Sequence, residues 1–247
     1  MHALQLTPRQ RATWTAHVAK AALRQHHGEL EQLFKPFVPE DAVVMDVGAH
    51  AGQFTKLFAR MARTGKVYAV EPSLYARSIL RPALAWNRIR NVRVLPMGLS
   101  DAPGAAVLYT PLTPRGSLGY GRAHLRDGPQ GDAHMVQTTA LQTLDAMVER
   151  EGIGRLDFIK VDVEGWEVQV IKGGLDTIAR FKPALFLEVS AEWLTRGRHT
   201  PDDLWALLQP FGYVAQRVEA AVHRMPATSP AARYLGAGDY LFRVPGA

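Results

Sequence analysis

Two short apolar runs, each leading into a turn, are the feature that most restricts how this chain folds. The first run, residues 43–47, leads into a turn bounded by Gly48 and Gly52. The second run, residues 67–70, leads into Glu71, and a helix-like segment lies between the two runs. Apolar runs without alternation are typical of parallel strands that are buried on both faces. The pattern therefore predicts a β-α-β unit of an open α/β sheet, which binds ligands at the carboxyl ends of its strands.

The residues of this unit indicate a nucleoside as the ligand. Gly48 and Gly52 lack a Cβ atom, so the backbone can approach a ligand and the next helix can pack closely on the strand. Their spacing, with Ala49 and His50 between them, differs from the Gly-x-Gly-x-x-Gly pattern that holds a pyrophosphate. Glu71 is placed to accept strong hydrogen bonds from both hydroxyls of a ribose.

A second carboxylate beside the turn indicates that the ligand carries positive charge. Asp46 comes just before Gly48, and a carboxylate there suits the ammonium and sulfonium groups of S-adenosylmethionine. We therefore expect Asp46 and Glu71 to contact opposite halves of one adenosyl amino acid.

Length and composition are consistent with one soluble α/β domain. The chain has 247 residues, of which 47% are hydrophobic and 21% are charged. We predict a catalytic domain at residues 41–247, preceded by a helical extension at residues 1–40. The absence of cysteine excludes disulfides, thiolate nucleophiles and cysteine zinc sites. No run approaches the roughly 20 apolar residues that cross a bilayer, so we expect a cytoplasmic protein without a membrane partner.

The formal net charge of +6 is spread along the chain, without a dense basic block interleaved with aromatic residues. We interpret this charge mainly as a contribution to solubility rather than as a sign of a nucleic-acid partner.

Cap residues and proline mark the start of the N-terminal extension. Thr7 and Pro8 are typical of a helix start, and we expect this helix to end near Gly28. A second short helix is predicted around residues 30–37. The extension is expected to cover a sheet edge or the mouth of an active site, and it is also compatible with self-association.

The rest of the chain continues the α/β alternation. A long Gly- and Pro-rich stretch, residues 109–134, is predicted to be a substrate-facing loop, because such long loops in compact domains usually have a function. The other predicted strands are residues 92–96, 135–140, 156–161, 184–189, 213–218 and 240–244. The other predicted helices are residues 52–63, 74–87 with a break or kink at Pro82, 143–151, one starting at 166, and 200–211.

Three further carboxylates are predicted at strand ends of the same crevice. Asp162 and Glu164 follow the fourth strand of the alternation, and Glu188 lies near the end of the fifth. They are candidates to orient or deprotonate a hydroxyl nucleophile. Each also has a plain alternative: a strand-end acid, a helix cap, or a buried acid paired with Lys160. His50 either orients the turn or acts as a base.

Carboxylates in such a cluster also suit a divalent cation, because hard cations prefer oxygen ligands. No spacing of His, Asp and Glu in this chain is diagnostic of a metal site, so the metal ligands stay unassigned.

The motifs, taken in order, resemble those of the FkbM-type methyltransferases. The resemblance covers residues 43–190, and its most specific part is Lys-x-Asp-x-Glu-Gly-x-Glu at residues 160–167. The motifs are Asp46-Val-Gly-Ala-His-Ala-Gly52, Glu71-Pro72, Gly98-Leu99-Ser100-Asp101, Thr143-Leu144-Asp145, the segment from Lys160 to Glu167, and Leu187-Glu188.

The resemblance implies a class I, Rossmann-like fold with a doubly wound, mostly parallel seven-stranded sheet. It also implies S-adenosylmethionine as the cofactor and a hydroxyl of a natural product or saccharide as the methyl acceptor. By the same resemblance, the motif from Asp46 to Gly52 would hold the methionine end, Glu71 and Pro72 the ribose, and Leu99, Ser100 and Asp101 the adenine. The family usually has asparagine at the position of His50.

Two other functions stay open at this point. The positive charge would suit an RNA methyltransferase, and a chain of this kind can also bind a nucleoside without turnover.

Overall fold

The computed structural model describes residues 6–111, 124–125, 134–196, 199–218 and 238–246. Its strands are β1 (Val43–Val47), β2 (Lys66–Val70), β3 (Val92–Leu95), β4 (Gly98–Leu99), β5 (Gly104–Pro111), β6 (His124–Leu125), β7 (His134–Gln142), β8 (Phe158–Val161), β9 (Ala184–Val189), β10 (Val214–Val218) and β11 (Gly238–Arg243). Its α-helices are α1 (Pro8–Leu23), α2 (Glu31–Phe34), α3 (Gln53–Met61), α4 (Leu74–Trp86), α5 (Leu144–Arg150), α6 (Glu167–Lys172), α7 (Leu175–Phe181), α8 (Ala191–Arg196) and α9 (Pro201–Leu208). Short 3-10 turns occupy Gly28–Leu30 and Gln209–Phe211.

The main sheet has seven strands in the order β10-β11-β9-β8-β1-β2-β3. Strands β3, β2, β1, β8 and β9 are parallel to one another, whereas β11 is antiparallel to both β9 and β10. The chain builds outward from β1 in one direction and then returns to its other side at β8. This reversal creates a crevice at the carboxyl ends of β1 and β8. The predicted Rossmann-like, mostly parallel sheet is confirmed.

Apolar side chains fill both faces of the main sheet. One face packs against helices α5, α6 and α9, with Met147, Val168 and Leu208 in the contact. The other face packs against α2 and α3 through Phe34 and Phe58. Because helices cover both faces of the sheet, the central strands have apolar residues at successive positions without alternation. Within the described ranges, no helix is long and apolar enough to span a bilayer.

A second, four-stranded sheet with the order β4-β7-β5-β6 was not anticipated. The predicted loop at residues 109–134 starts too early, because Tyr109–Pro111 continue β5 and pair with residues 134–136 of β7. His124 and Leu125 inside that loop also pair with β5. The remainder of the loop, residues 112–123 and 126–133, lies outside the described residues.

Helix ends agree with the sequence prediction where capping residues are present. Thr7 and Gln10 form a capping box at the start of α1, and Thr143 caps α5. The prediction that α1 reaches Gly28 is wrong, because the helix ends at Leu23, before the extended residue Arg24. Helix α4 runs through Pro82 without interruption, and α8 was not predicted.

Candidate active site

A cavity of about 320 Å³ lies at the carboxyl ends of β1, β2 and β8. This size is near the lower end of the range for small-molecule sites, roughly 300 to 1,000 Å³. Its lining includes Gly48, His50 and Glu71 from the first β-α-β unit, and Asp162 and Glu188 from the later strands. The main sheet therefore brings the two groups of sequence-predicted residues to one cavity.

Glu71 presents a buried carboxyl group to this cavity. It follows β2 and is only 6% exposed. Its Oε2 accepts a hydrogen bond from the backbone N–H of His50 at 2.7 Å, and its Oε1 accepts one from the backbone N–H of Ser73 at 2.7 Å. Burial raises the pKa of Glu71 to about 7, although these two backbone donors oppose the shift. The carboxyl group is thus fixed in place and titrates near neutral pH.

The backbone between β1 and α3 follows a tight path that depends on its glycines. Gly48 has a φ of +76°, and a Cβ atom there would lie 1.9 Å from the carbonyl oxygen of Asp162. Gly52 has a φ of +82°, and a Cβ atom there would lie 2.2 Å from Leu80 of α4. The absence of a Cβ atom at both positions thus allows close packing within the protein, whereas the approach of a ligand to this backbone stays a prediction. Gly48 lines the cavity, whereas Gly52 begins α3.

The other residues of this turn have separate positions. Ala49 is 4% exposed, and its N–H donates to the carbonyl of Val70 at 3.1 Å. His50 lines the cavity and has a left-handed φ of 49°. Burial, reinforced by the charge of Lys160, lowers the pKa of His50 to about 4. His50 is therefore neutral at pH 7, and its backbone N–H orients Glu71.

Asp46 lies beneath the cavity rather than in its lining. Its side chain is fully buried, with Oδ2 accepting from the Thr55 hydroxyl at 2.5 Å and Oδ1 at 3.5 Å from Nζ of Lys160. Burial raises the pKa of Asp46, and Lys160 and Thr55 oppose this shift. This placement differs from the expectation that Asp46 contacts the ligand, because protein groups already surround its carboxylate.

Lys160 joins the ends of β1 and β8. Its side chain is 3% exposed, and its Nζ lies 3.1 Å from Oδ2 of Asp162 and donates to the carbonyl of Gly48 at 3.2 Å. The same ammonium group faces the ring of Phe54 at 5.1 Å from its centroid. Burial alone would lower the pKa of Lys160, but Asp162 and Asp46 outweigh it and raise the pKa. Lys160 is therefore a buried cation that holds both strand ends together.

Asp162 and Glu188 form a carboxyl pair at the far side of the cavity. Burial raises the pKa of Glu188 to about 9, and a side-chain hydrogen bond with Asp162 contributes to the shift. Burial alone would also raise the pKa of Asp162. The charge of Lys160 and the hydrogen bond from Glu188 outweigh burial, so the pKa of Asp162 is lowered. At neutral pH, Asp162 is thus the charged partner and Glu188 the protonated one. The side chain of Asp162 is 35% exposed, so it remains accessible from the cavity.

The turn after β8 is held by a carboxylate that does not face the cavity. Oε1 of Glu167 accepts from the backbone N–H groups of Val163 and Gly165 at 3.1 and 3.2 Å. Gly165 has a φ of +100°, and a Cβ atom there would lie 2.1 Å from the carbonyl oxygen of Trp193. Glu164 has a left-handed φ of 52° and lines the cavity. Helix α6 has no side-chain cap hydrogen bond at its start, so the capping role suggested as the alternative for Glu164 is not observed, and Glu167 instead holds the preceding turn.

The segment predicted to contact adenine is only partly in the cavity. Gly98 and Leu99 line it, as does Pro72 after β2. Ser100 and Asp101 lie outside the lining, and the Ser100 hydroxyl accepts from Nε1 of Trp166 at 3.2 Å and bonds to Asp101 at 3.1 Å. Asp101 is exposed. In this segment the lining of the cavity thus ends at Leu99, and the contact of Ser100 and Asp101 with adenine stays a prediction.

Several cavity residues were not among the sequence predictions. Tyr75 and Ala76 come from the first turn of α4, Thr110 from β5, and Trp193 from α8. Trp166, in the turn before α6, also lines the cavity. The only sequence signal for Tyr75 was its position four residues after Glu71. In the described part of the chain, no group of three or more His, Asp or Glu side chains is arranged to hold a metal ion.

Comparison with known proteins identifies the protein family of this chain. The sequence matches the family described as the methyltransferase FkbM domain over residues 46–215. Methyltransferase sdnD of Sordaria araneosa is 30% identical over 159 residues, which cover 55% of this chain and 61% of that relative. The 2-O-methyltransferase NoeI of Sinorhizobium fredii is 25% identical over 211 residues, which cover 79% of this chain and 81% of that relative.

A solved structure supports the fold. The crystal structure of methyltransferase FkbM from Methylobacillus flagellatus KT aligns with a TM-score of 0.51 at 13% identity. The alignment covers 94% of this chain and 59% of that one.

Proposed function

Because this chain belongs to the FkbM methyltransferase family, we propose that it transfers the methyl group of S-adenosylmethionine to a hydroxyl of a small-molecule natural product or saccharide. The observation that carries this proposal is the composition of one cavity. A fixed, buried carboxyl group, Glu71, lines it together with the Asp162–Glu188 pair. The first suits the ribose of the cofactor, and the second suits a hydroxyl acceptor.

The residues around Glu71 fit an adenosyl group. Each carboxyl oxygen of Glu71 accepts one backbone hydrogen bond, and a carboxylate oxygen can accept a second one. The ribose hydroxyls would supply those donors. Val70, Met97 and Leu99 line the same cavity with apolar surface, which suits a flat purine ring. When bound, the cofactor supplies an electrophilic methyl group on a sulfonium.

Asp46 acts indirectly in this proposal. Its buried carboxylate lies against Lys160, which in turn contacts Asp162 and the carbonyl of Gly48. Removing one partner of a buried ion pair leaves the other charge uncompensated. The charge of Asp46 thus stabilises Lys160 in its buried position, and Lys160 keeps Asp162 ionised at the cavity.

Asp162 is the group that we assign to the acceptor hydroxyl. As a partly exposed carboxylate with a lowered pKa, it accepts a hydrogen bond well but is a weak base. Its role is therefore to align the hydroxyl oxygen with the methyl carbon and to accept the hydroxyl proton, as the new C–O bond would form, the C–S bond of the sulfonium would break and S-adenosylhomocysteine would leave. Glu188 donates a hydrogen bond to Asp162, and Glu164 also lines the cavity.

The acceptor class rests on two observations. Trp166 and Trp193 line the cavity alongside the carboxyl groups, and flat apolar faces beside hydrogen-bond acceptors suit a saccharide or another polyhydroxylated molecule. The relative NoeI is named a 2-O-methyltransferase, which supports oxygen as the acceptor atom here.

The test is transfer of an isotopically labelled methyl group from S-adenosylmethionine to a panel of saccharides and hydroxylated metabolites, with Asp162→Asn as the matched inactive variant. Label in a hydroxyl acceptor that depends on Asp162 supports the proposal. Label in tRNA instead would indicate an RNA methyltransferase, and binding without transfer would indicate a nucleoside-binding module. Repeating the assay with a chelator decides whether a divalent cation takes part. If it does, the chelator will abolish methyl transfer; if it does not, the activity will be unchanged.

A further inference from the structure

A side chain of helix α1 contacts a residue that lines the cavity. Tyr75 lines the cavity, four residues after Glu71 in the chain and in the first turn of α4, and its side chain is buried. Its hydroxyl lies 2.9 Å from Nδ1 of His17, which belongs to α1. The two rings meet edge to face, with centroids 6.2 Å apart and an interplanar angle of 83°. A residue of the N-terminal helix therefore fixes a wall of the cavity.

Other contacts hold α1 firmly in this position. Nζ of Lys56, in α3, donates to the carbonyls of Ala21 and Arg24 at the end of α1. Nε1 of Trp14 donates to the hydroxyl of Ser78, in α4, at 2.9 Å. Helix α1 is thus tied to both α3 and α4, the helices that follow β1 and β2.

Apolar packing joins the same elements. Ala51, from the turn after β1, and Tyr75 and Ile79, from α4, share one buried cluster with Ala21 of α1. Trp14 and Val18 of α1 cover this cluster. Of these residues, Tyr75 also lines the cavity, so the packing against α1 and the wall of the cavity share this side chain.

We propose that α1 is part of the cofactor site, and that His17 is a positioning residue that holds Tyr75 in the part of the cavity lined by Glu71. This inference rests on the proposed function. The segment that matches the family begins at residue 46, so α1 lies outside it. The division of the chain at residue 40 stays a prediction, but α1 contributes to a site formed by the later residues.

The physical reason is preorganisation. A tyrosine ring without its hydrogen-bonded partner can leave its position, and a ligand must then restore the arrangement on binding. The loss of one such hydrogen bond corresponds to an about three- to tenfold weaker affinity. The effect should be confined to the contact with Tyr75 rather than to the packing of α1 in general.

The experiment measures the affinity of the full chain for S-adenosylhomocysteine by calorimetry. We expect His17→Ala and Tyr75→Phe each to weaken binding about three- to tenfold, and the double variant to be no weaker than either one. Trp14→Phe is the matched control, because it removes a hydrogen bond between the same two helices whose acceptor, Ser78, does not line the cavity, and it keeps an aromatic ring over the shared cluster. It should change the affinity by less than about twofold. Thermal unfolding of each variant identifies any that fail to fold. Tyr75→Phe is the smallest structural change among the variants, because it removes only the hydroxyl group.

Two results separate the possible failures. If the wild-type chain binds S-adenosylhomocysteine and His17→Ala binds equally well, or if His17→Ala and Tyr75→Phe are additive, the role of His17 is refuted while the proposed function stands. If the wild-type chain does not bind S-adenosylhomocysteine, the proposed function fails and this inference fails with it.

Discussion

The titration of Glu71 gives the sharpest prediction of this site. Its pKa in the free protein is raised to about 7. The carboxyl group is therefore mainly protonated at pH 6 and mainly ionised at pH 8. Only the ionised form can accept hydrogen bonds from both ribose hydroxyls with both oxygens. Affinity for S-adenosylhomocysteine should therefore rise with pH across this range.

The magnitude follows from the ionised fraction. With a pKa of about 7, roughly one tenth of the protein is ionised at pH 6, so binding there should be about tenfold weaker than at pH 8. Binding at pH 6 should also release close to one proton. Calorimetry in buffers of different ionisation enthalpy measures both quantities. The pKa of His50 is about 4 and that of Glu188 is about 9, so neither is half-titrated between pH 6 and pH 8.

The matched variant is Glu71→Gln, which keeps the shape of the side chain and removes the titration. Its affinity should be independent of pH in this range and weaker at pH 8 by about 1.5 to 3 kcal/mol, the usual size of a hydrogen bond to a charged group. A wild-type affinity that does not change between pH 6 and pH 8 would refute the proposed contact of the ionised Glu71 carboxylate with the ribose. A Glu71→Gln variant that keeps the wild-type pH dependence would refute it as well.

Three further predictions concern the contacts around β1 and β8. Lys160→Met leaves Asp46 without its buried cation and should lower the free energy of unfolding by about 3 to 5 kcal/mol; a loss below about 1 kcal/mol in chemical denaturation contradicts this role. Gly48→Ala should weaken binding of S-adenosylhomocysteine at least about tenfold, because its Cβ would lie 1.9 Å from a carbonyl oxygen. Gly104→Ala, where a Cβ meets nothing within 4 Å, is its control, and equal affinities for the two variants would argue against the close approach. Asp162→Asn should lower kcat by about 10² to 10⁴-fold, and an unchanged kcat in the methyl-transfer assay would remove it from the reaction.

The central strands were predictable because their residues carry the pattern locally. Strands β1 and β9 match the predicted ranges 43–47 and 184–189, since each is an apolar run with a clear boundary. The second sheet was predictable only in part. Residues 135–140 of β7 were predicted as a strand, whereas β5 was not, and the two strands pair across a long intervening segment. Their pairing depends on contacts that local periodicity does not report.

The site shows the same division between local pattern and distant contact. Glu71 was located correctly in the cavity because the end of a parallel strand fixes its position. Asp46 was expected there for the same reason, but its carboxylate is buried and contacts Thr55 and Lys160 instead. Lys160 is close to it only after the sheet has formed. The contact of Tyr75 with His17 likewise joins residues that are distant in the chain.

The most direct test of the proposed site is a crystal structure of the chain with S-adenosylhomocysteine. We expect both ribose hydroxyls to lie within hydrogen-bonding distance of the Glu71 carboxylate, and the sulfur to face the space beside Asp162. A ligand bound elsewhere, or bound in this cavity with its ribose away from Glu71, would contradict it.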